Sequence, residues 1–331
     1  LIGIGDLSRE DIERVMLLGD RFAEVMDRDL KKVPTLRGRT VINLFVEAST
    51  RTATSFELAG KRLSADVVNV KGSGSSMEKG ETLKDTIITL SSYRPDVIVI
   101  RHASAGACRL AQRHSDAAIV NAGDGKGEHP TQTLLDIYTI RRQVGPLEGT
   151  HIAFVGDVAH SRVARSGALG FRELGARVSF VGPPTLIPRD AEAAFGVEVS
   201  HDVRDIADAD IVYVLRMQLE RMGPGGFVPS LREYAATFGI NHARLRPGQR
   251  VMHAGPINRG VEIAGELADD PQTLIENQAA NGMVVRMAVL YDLLAPPAGA
   301  GGLGPPPRGG ARLGARRPHP PGPRGPAGFP P

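Results

Sequence analysis

The chain has 331 residues, 41% of them hydrophobic and 23% charged, which is too long for one ordinary core and too apolar for a disordered polymer. Its formal charge of +3 is misleading, because residues 296–331 hold five Arg and no Lys, Asp or Glu, and residues 1–295 carry −2. The basic balance therefore gives no support to a nucleic-acid or membrane surface on the folded body, and the absence of Trp removes the usual base-stacking platform.

Cys108 is the sole cysteine, so an internal disulfide is excluded, a reducing compartment is expected, and the thiol reads as packing before it reads as a nucleophile. No apolar run approaches the ~18 residues of a membrane span. The sequence opens at Leu1 without Met or a signal-like segment, and the natural N-terminus is expected upstream.

In chain order, Ser8 and Asp11 mark the start of an amphipathic helix over Arg9–Met26. Apolar strand candidates then fall at Val41–Val46, Asp66–Val70, Val97–Arg101 and Ala118–Asn121, alternating with helical stretches near Thr52–Leu63, Glu81–Tyr93 and Pro130–Val144. Gly145–Gly149 reads as a link. A second alternating block follows, with strands at His151–Gly156, Arg177–Val181, Ile211–Leu215 and Arg250–His253, and a closing helix at about Thr273–Leu294. Short strands apolar on both faces and separated by helices predict two doubly wound α/β domains with parallel sheets. The expected division is 1–145, with the closing helix packing back on it, and 146–272. The Pro/Gly/Arg-rich tail of 296–331 is expected to be disordered.

Polar residues collect where strands turn into helices. Ser49-Thr50-Arg51-Thr52 opens a helix with three hydroxyls and a guanidinium, suited to a phosphate or carboxylate at the positive end of a helix dipole; the plainer reading is a helix cap. Arg101-His102 ends the third strand, where a surface salt bridge is the plainer reading. His129-Pro130-Thr131-Gln132 follows Gly123-Asp124-Gly125 at the carboxyl edge of a parallel sheet, where open α/β sheets bind ligands. Ser75–Glu81 reads locally as a solvated loop with a capping pattern. The second block adds Arg162 after Gly156-Asp157, Arg216-Met217-Gln218, and His253-Ala254-Gly255-Pro256. Four arginines at strand ends describe an inter-domain cleft for a polyanion or several carboxylates. There is no Walker loop, dinucleotide fingerprint, zinc spacing or nucleophile elbow, so no cofactor and no metal are expected.

Glu47-Ala48-Ser49-Thr50-Arg51-Thr52 with Ser55-Phe56-Glu57, Lys79-Gly80-Glu81-Thr82, Gly123-Asp124-Gly125, His129–Gln132 and Pro256–Gly260 together resemble the aspartate and ornithine transcarbamoylases, over about Ile4 to Leu294. The resemblance implies transfer of a carbamoyl group from carbamoyl phosphate to an amine. Arg216–Arg221 looks like the aspartate-binding stretch, and neither the His-Cys-Leu-Pro turn nor the Ser-Met-Gly loop of ornithine enzymes is present, so L-aspartate is the implied acceptor and pyrimidine biosynthesis the implied setting. It further implies that Ser49, Thr50, Arg51 and Thr52 hold the phosphate, and that Arg101, His129 and Gln132 surround the carbamoyl group. The backbone of Ala254 and Gly255, shaped by a cis bond before Pro256, would receive the carbamoyl amino group. Ser75 and Lys79 would reach into a neighbouring subunit of a cytoplasmic homotrimer. Arg162, Arg216 and Gln218, with Lys79, would bind aspartate.

Regulatory or dihydroorotase-like subunits are further partners that such trimers could take. The chain departs from the family pattern at Ala53, where a second arginine is usual, and at Ala254, where proline is usual. These departures open the alternative of a catalytically impaired structural subunit, and a carbamoyltransferase for another amino-acid acceptor is a separate alternative.

Overall fold

Ser8 begins the first helix as expected. In the computed structural model, which describes residues 1–218 and 227–295, its hydroxyl accepts from the Asp11 amide at 3.2 Å while the Asp11 carboxylate accepts from the Ser8 amide at 3.1 Å. Helix α1 (Arg9–Met26) leads to strand β1 (Thr40–Phe45), α2 (Thr50–Arg62), β2 (Asp66–Lys71), α3 (Leu83–Ser92), β3 (Val97–His102), α4 (Ala107–Arg113), β4 (Ala118–Asp124) and α5 (Pro130–Gln143). The four strands lie in the order β2-β1-β3-β4, all parallel.

Alternation along these strands distributes the side chains between two cores. Val41, Phe45, Val97 and Val99 pack with Phe56 and Ala59 of α2, while Ile42, Leu44, Ile98 and Ile100 pack with Ile87, Leu90 and Cys108. Cys108 is fully buried, and burial pushes its thiol pKa upward, in keeping with a packing role.

The second sheet comprises β5 (His151–Val155), β6 (Arg177–Val181), β7 (Glu198–Ser200), β8 (Ile211–Val214) and β9 (Arg250–Met252), in the order β7-β6-β5-β8-β9, again all parallel. Its helices are α6 (Arg162–Glu173), α7 (Ala191–Phe195), α8 (Leu231–Phe238), α9 (Gly265–Ala268) and α10 (Ile275–Leu294). Ile152, Phe154, Val178, Phe180 and Tyr213 share one core with α5, α6 and the first sheet, while Ala153, Val155, Val212 and Val214 face Ile240, Ile263 and Leu267. Apolar packing is therefore continuous between the two sheets.

The last helix returns to the first half of the molecule. Helix α10 packs against α1, α2 and α5, and Arg14 of α1 binds Asp292 at 2.8 Å. Gln278 and Arg286 are buried polar side chains of this helix. Among the described residues no helix is long and apolar enough to cross a membrane. The tail from residue 296 lies outside the described residues.

Candidate active site

The carboxyl ends of β1, β3, β4, β5, β8 and β9 lead into the segments that carry every candidate residue except Ser75 and Lys79. After β1, Ser49 adopts an extended conformation (φ −160°, ψ 106°) and caps α2, its oxygen accepting from the Thr52 amide at 3.4 Å. The amides of Thr50 and Arg51 lie ahead of Ala53, whose amide donates to the Ser49 carbonyl at 3.2 Å as the first bond of the helix, so they are donors available to an anion. Thr52 is buried and Arg51 crosses to the other half of the molecule. A Cβ on Gly255 would sit 2.8 Å from the Arg51 Cζ. Burial first, and then the like charge of Arg216, hold the Arg51 guanidinium below its ordinary pKa.

A second pair of arginines is organised by a carboxylate. Glu47 Oε1 accepts from Arg101 Nη2 at 2.7 Å and from Arg162 Nη2 at 2.5 Å, while Oε2 accepts from Arg162 Nη1 at 3.3 Å. Arg101 Nη1 also donates to the Ala122 carbonyl at 3.1 Å, and Arg162 Nη1 to that of Gly125 at 3.3 Å. Gly123 (φ 114°) passes directly beneath both side chains, because a Cβ there would lie 2.9 Å from Arg162 Cζ and 3.0 Å from Arg101 Nη1. The absence of a side chain at Gly123 thus lets two cations approach, and Glu47 offsets their repulsion. Sequence reasoning treats Glu47 only as part of a motif; its position two residues before Ser49 is the sole local signal of this role.

His129 stands at the N-terminus of α5, buried, and its backbone amide donates to Ser166 Oγ of α6 at 2.8 Å. One turn on, Gln132 Nε2 donates to the buried carboxylate of Asp136 at 3.0 Å. Beyond β9 the Gly255–Pro256 peptide is cis, as expected. His253 braces this turn, with its amide donating to Gln278 Oε1 at 2.9 Å and its Nδ1 accepting from the Gly255 amide at 2.8 Å. With Nδ1 an acceptor, Nε2 carries the proton toward buried Glu262 at 3.3 Å. These bonds hold the turn where Ala254 replaces the usual proline. Ala53 likewise packs against the core.

Arg216 follows β8 and donates from Nη2 to Gln218 Oε1 at 3.0 Å, while the Gln218 amide donates to Asp157 Oδ2 at 3.2 Å. Burial raises the Asp157 pKa despite its 2.8 Å bond to His160. Leu219, Glu220 and Arg221 of the same stretch lie outside the described residues. Ser75 and Lys79 stand apart from this cluster. They occupy a short 3₁₀ turn (Ser76–Lys79 with Ser75 as cap) following the edge strand β2. Ser75 Oγ donates to the Gly72 carbonyl at 2.7 Å, and Lys79 is exposed. Among the described residues no group of three or more His, Cys, Asp or Glu is placed to hold a metal ion.

Two parallel sheets whose carboxyl ends meet around paired guanidiniums, a helix N-terminus and a backbone turn define a two-domain α/β protein built to hold anionic small molecules. The carbamoyl-P binding domain of the aspartate/ornithine carbamoyltransferases matches residues 1–142, and their Asp/Orn binding domain matches residues 148–293. An aspartate carbamoyltransferase catalytic subunit of Magnetococcus marinus is 53% identical over 303 residues, covering 88% of this chain and 92% of that one. A namesake from Methylorubrum extorquens is 54% identical over 297 residues, covering 88% and 94%.

Among solved structures, aspartate transcarbamoylase of Trypanosoma cruzi in complex with carbamoyl phosphate and aspartate superposes with a TM-score of 0.78 at 34% identity, covering 87% of this chain and 94% of that one. The catalytic subunit of M. jannaschii aspartate transcarbamoylase gives 0.77 at 36%, covering 89% and 97%. The chain belongs to the aspartate/ornithine carbamoyltransferase family.

Proposed function

We propose that this chain transfers the carbamoyl group of carbamoyl phosphate to the amine of L-aspartate, releasing N-carbamoyl-L-aspartate and phosphate. The observation that carries this reading is the meeting of Arg51 from the first half with Gly255 and Arg216 from the second, which places a phosphate-type helix N-terminus against a backbone turn and a second cation. In this reading Ser49, Thr50, Arg51 and Thr52 take the phosphate, and Arg101, His129 and Gln132 surround the carbamoyl group. The Ala254–Gly255 backbone takes its amino group. Arg162, Arg216, Gln218 and a partner's Lys79 take the two carboxylates of aspartate.

The amine attacks the carbamoyl carbon, the carbonyl oxygen gains negative charge, and the tetrahedral intermediate collapses as phosphate leaves. Arg101, His129 and Thr52 stabilise the oxyanion, and the departing phosphate accepts the amine proton. Neither an enzyme nucleophile nor a metal is required, so the rate comes from positioning and preorganised charge. The exposed turn carrying Ser75 and Lys79, bonded only within itself and its own loop among the described hydrogen bonds, supports a homotrimer in which that loop completes a neighbour's site. Pyrimidine biosynthesis in the cytoplasm is the setting that fits this product.

Incubation with carbamoyl phosphate and a panel of amino acids tests the proposal, with carbamoyl-aspartate the expected main product. A different carbamoyl amino acid would reassign the acceptor, and a folded trimer without product would make the chain a structural subunit. Arg51→Ala should nearly abolish turnover in a folded protein; full activity in that variant would sink the site assignment.

A further inference from the structure

Asp136 is a buried carboxylate to which no step of the proposed reaction assigns a part. It lies one turn after Gln132 on α5 and is 1% exposed. Three donors converge on it: Gln132 Nε2 at 3.0 Å and Gln278 Nε2 at 2.7 Å meet Oδ1, and the Tyr213 hydroxyl meets Oδ2 at 2.8 Å. These donors come from α5, α10 and β8, so the carboxylate joins both halves of the molecule. Arg286 of α10, also buried, adds an attractive charge while donating to Ser55 Oγ of α2 at 2.6 Å and lying 5.1 Å from the Phe56 ring centroid. Burial raises the Asp136 pKa to about 7 and lowers that of Arg286 to about 10.

Above its pKa the Asp136 carboxylate is ionised and only accepts, and its three donors then fix the direction of two amides. Gln132 must turn its nitrogen inward, which leaves its oxygen, an acceptor with no bond among the described residues, as the end available to a ligand. Gln278 must likewise turn its nitrogen to Asp136, which presents its oxygen to the His253 amide at 2.9 Å and so sets the height of the His253–Pro256 turn. Both groups read as receiving the carbamoyl end of the substrate are therefore oriented by one anion.

We propose that Asp136 is a positioning residue that sets the hydrogen-bond polarity of the carbamoyl site, so that acceptors face the substrate NH2 and the site selects a carbamoyl phosphate over an acyl phosphate lacking that group. The inference rests on the carbamoyl-transfer reading. A buried acceptor left without its donor is costly, which is the physical basis of the selection.

The test compares binding of carbamoyl phosphate with acetyl phosphate, in which CH3 replaces NH2, by calorimetry at pH 8 on the full chain. Wild type should prefer carbamoyl phosphate. In Asp136→Asn one of the three donors meets an NH2 group, Gln132 loses its fixed direction, and carbamoyl phosphate binding should weaken about ten- to hundredfold. Acetyl phosphate binding should change less than about twofold, because it makes no use of those acceptors. In a Gln132→Ala background the same substitution should add a much smaller loss, the mark of residues acting as one unit.

Gln278→Met, which removes the His253 leg together with one of the three donors to Asp136 while leaving the Gln132 leg in place, should narrow the preference in the same direction and carries the test should Asp136→Asn not fold. Parallel weakening of both ligands would show a merely structural role and overturn the inference. So would an unchanged preference in both variants of an active wild type. A wild type that neither binds carbamoyl phosphate nor forms a carbamoyl amino acid overturns the carbamoyl-transfer reading as well.

Discussion

Gly255 offers a sharp test of the cleft geometry because two separate effects meet there. Its φ is +66°, a region in which an L side chain costs roughly 1–2 kcal/mol, and a Cβ would stand 2.8 Å from Cζ and Nη2 of Arg51. Ordinary carbon contacts lie near ~3.5–4.0 Å, so in Gly255→Ala the guanidinium has to retreat by about 1 Å. The retreating group is the end of a flexible side chain, so little extra stability is lost. Catalysis is less tolerant, since ~1 Å of misplacement costs on the order of 100-fold, about 2.7 kcal/mol in the barrier.

Gly248→Ala supplies the control: φ is +88°, yet nothing lies within 4 Å of the new Cβ. Both variants should lose similar unfolding free energy in denaturant, whereas only Gly255→Ala should lose about 100-fold in kcat/KM for carbamoyl-aspartate formation. Activity in Gly255→Ala within twofold of wild type would refute the close approach of Arg51, and an equal activity loss in Gly248→Ala would show that backbone strain alone accounts for it.

Glu47→Gln leaves Arg101 and Arg162 with a neutral partner and should destabilise the fold by about 1–3 kcal/mol in urea unfolding, a loss that millimolar phosphate should partly restore by supplying the missing negative charge. Asp136, held at about 7 against an ordinary 3.8, keeps a proton in the folded state that the unfolded chain has released; its contribution is present below pH 4 and lost as pH rises through 7. The difference in unfolding free energy between wild type and Asp136→Asn should accordingly fall by about 4 kcal/mol across that window, and a flat difference would contradict the burial. Cys108, buried with a raised pKa, should resist a maleimide reagent in the native protein and react fully in denaturant, as mass spectrometry would report.

The parallel sheets were legible because strands buried on both faces, such as Val97–Ile100 and Ile211–Val214, leave continuous apolar runs that few other structures use. Helix starts were legible where a side chain caps them, as Ser8 and Ser49 do. Helix α4 and strand β7 are among the elements that left no such trace. Helix α4 is only seven residues long and its N-cap, Gly106, has no side chain; β7 is three residues long and no residue in it is fully buried. Short elements of this kind are stabilised by the neighbours they dock on, which a local pattern does not report.

The same distinction runs through the site. Arg51, Arg101, Arg162 and Arg216 could be read from sequence because each stands at or beyond the carboxyl end of a strand, and the topology brings those ends together. The residues that organise them could not: Glu47 meets Arg162 across 115 positions, and Asp136 meets Gln278 across 142. What these carboxylates do depends on which cations and amides the fold brings to them, and no spacing rule encodes that.

Their presence also explains how a body of charge −2 holds a cluster of guanidiniums. Glu47 compensates Arg101 and Arg162 before any ligand arrives, and Asp136 sits close enough to buried Arg286 to oppose the fall in its pKa. Arg51 is in a different condition, its charged form disfavoured first by burial and then by Arg216. In the carbamoyl-transfer reading, the charge of an incoming phosphate would oppose both effects, so binding strength would concentrate where Arg51 reaches across to the turn at Gly255.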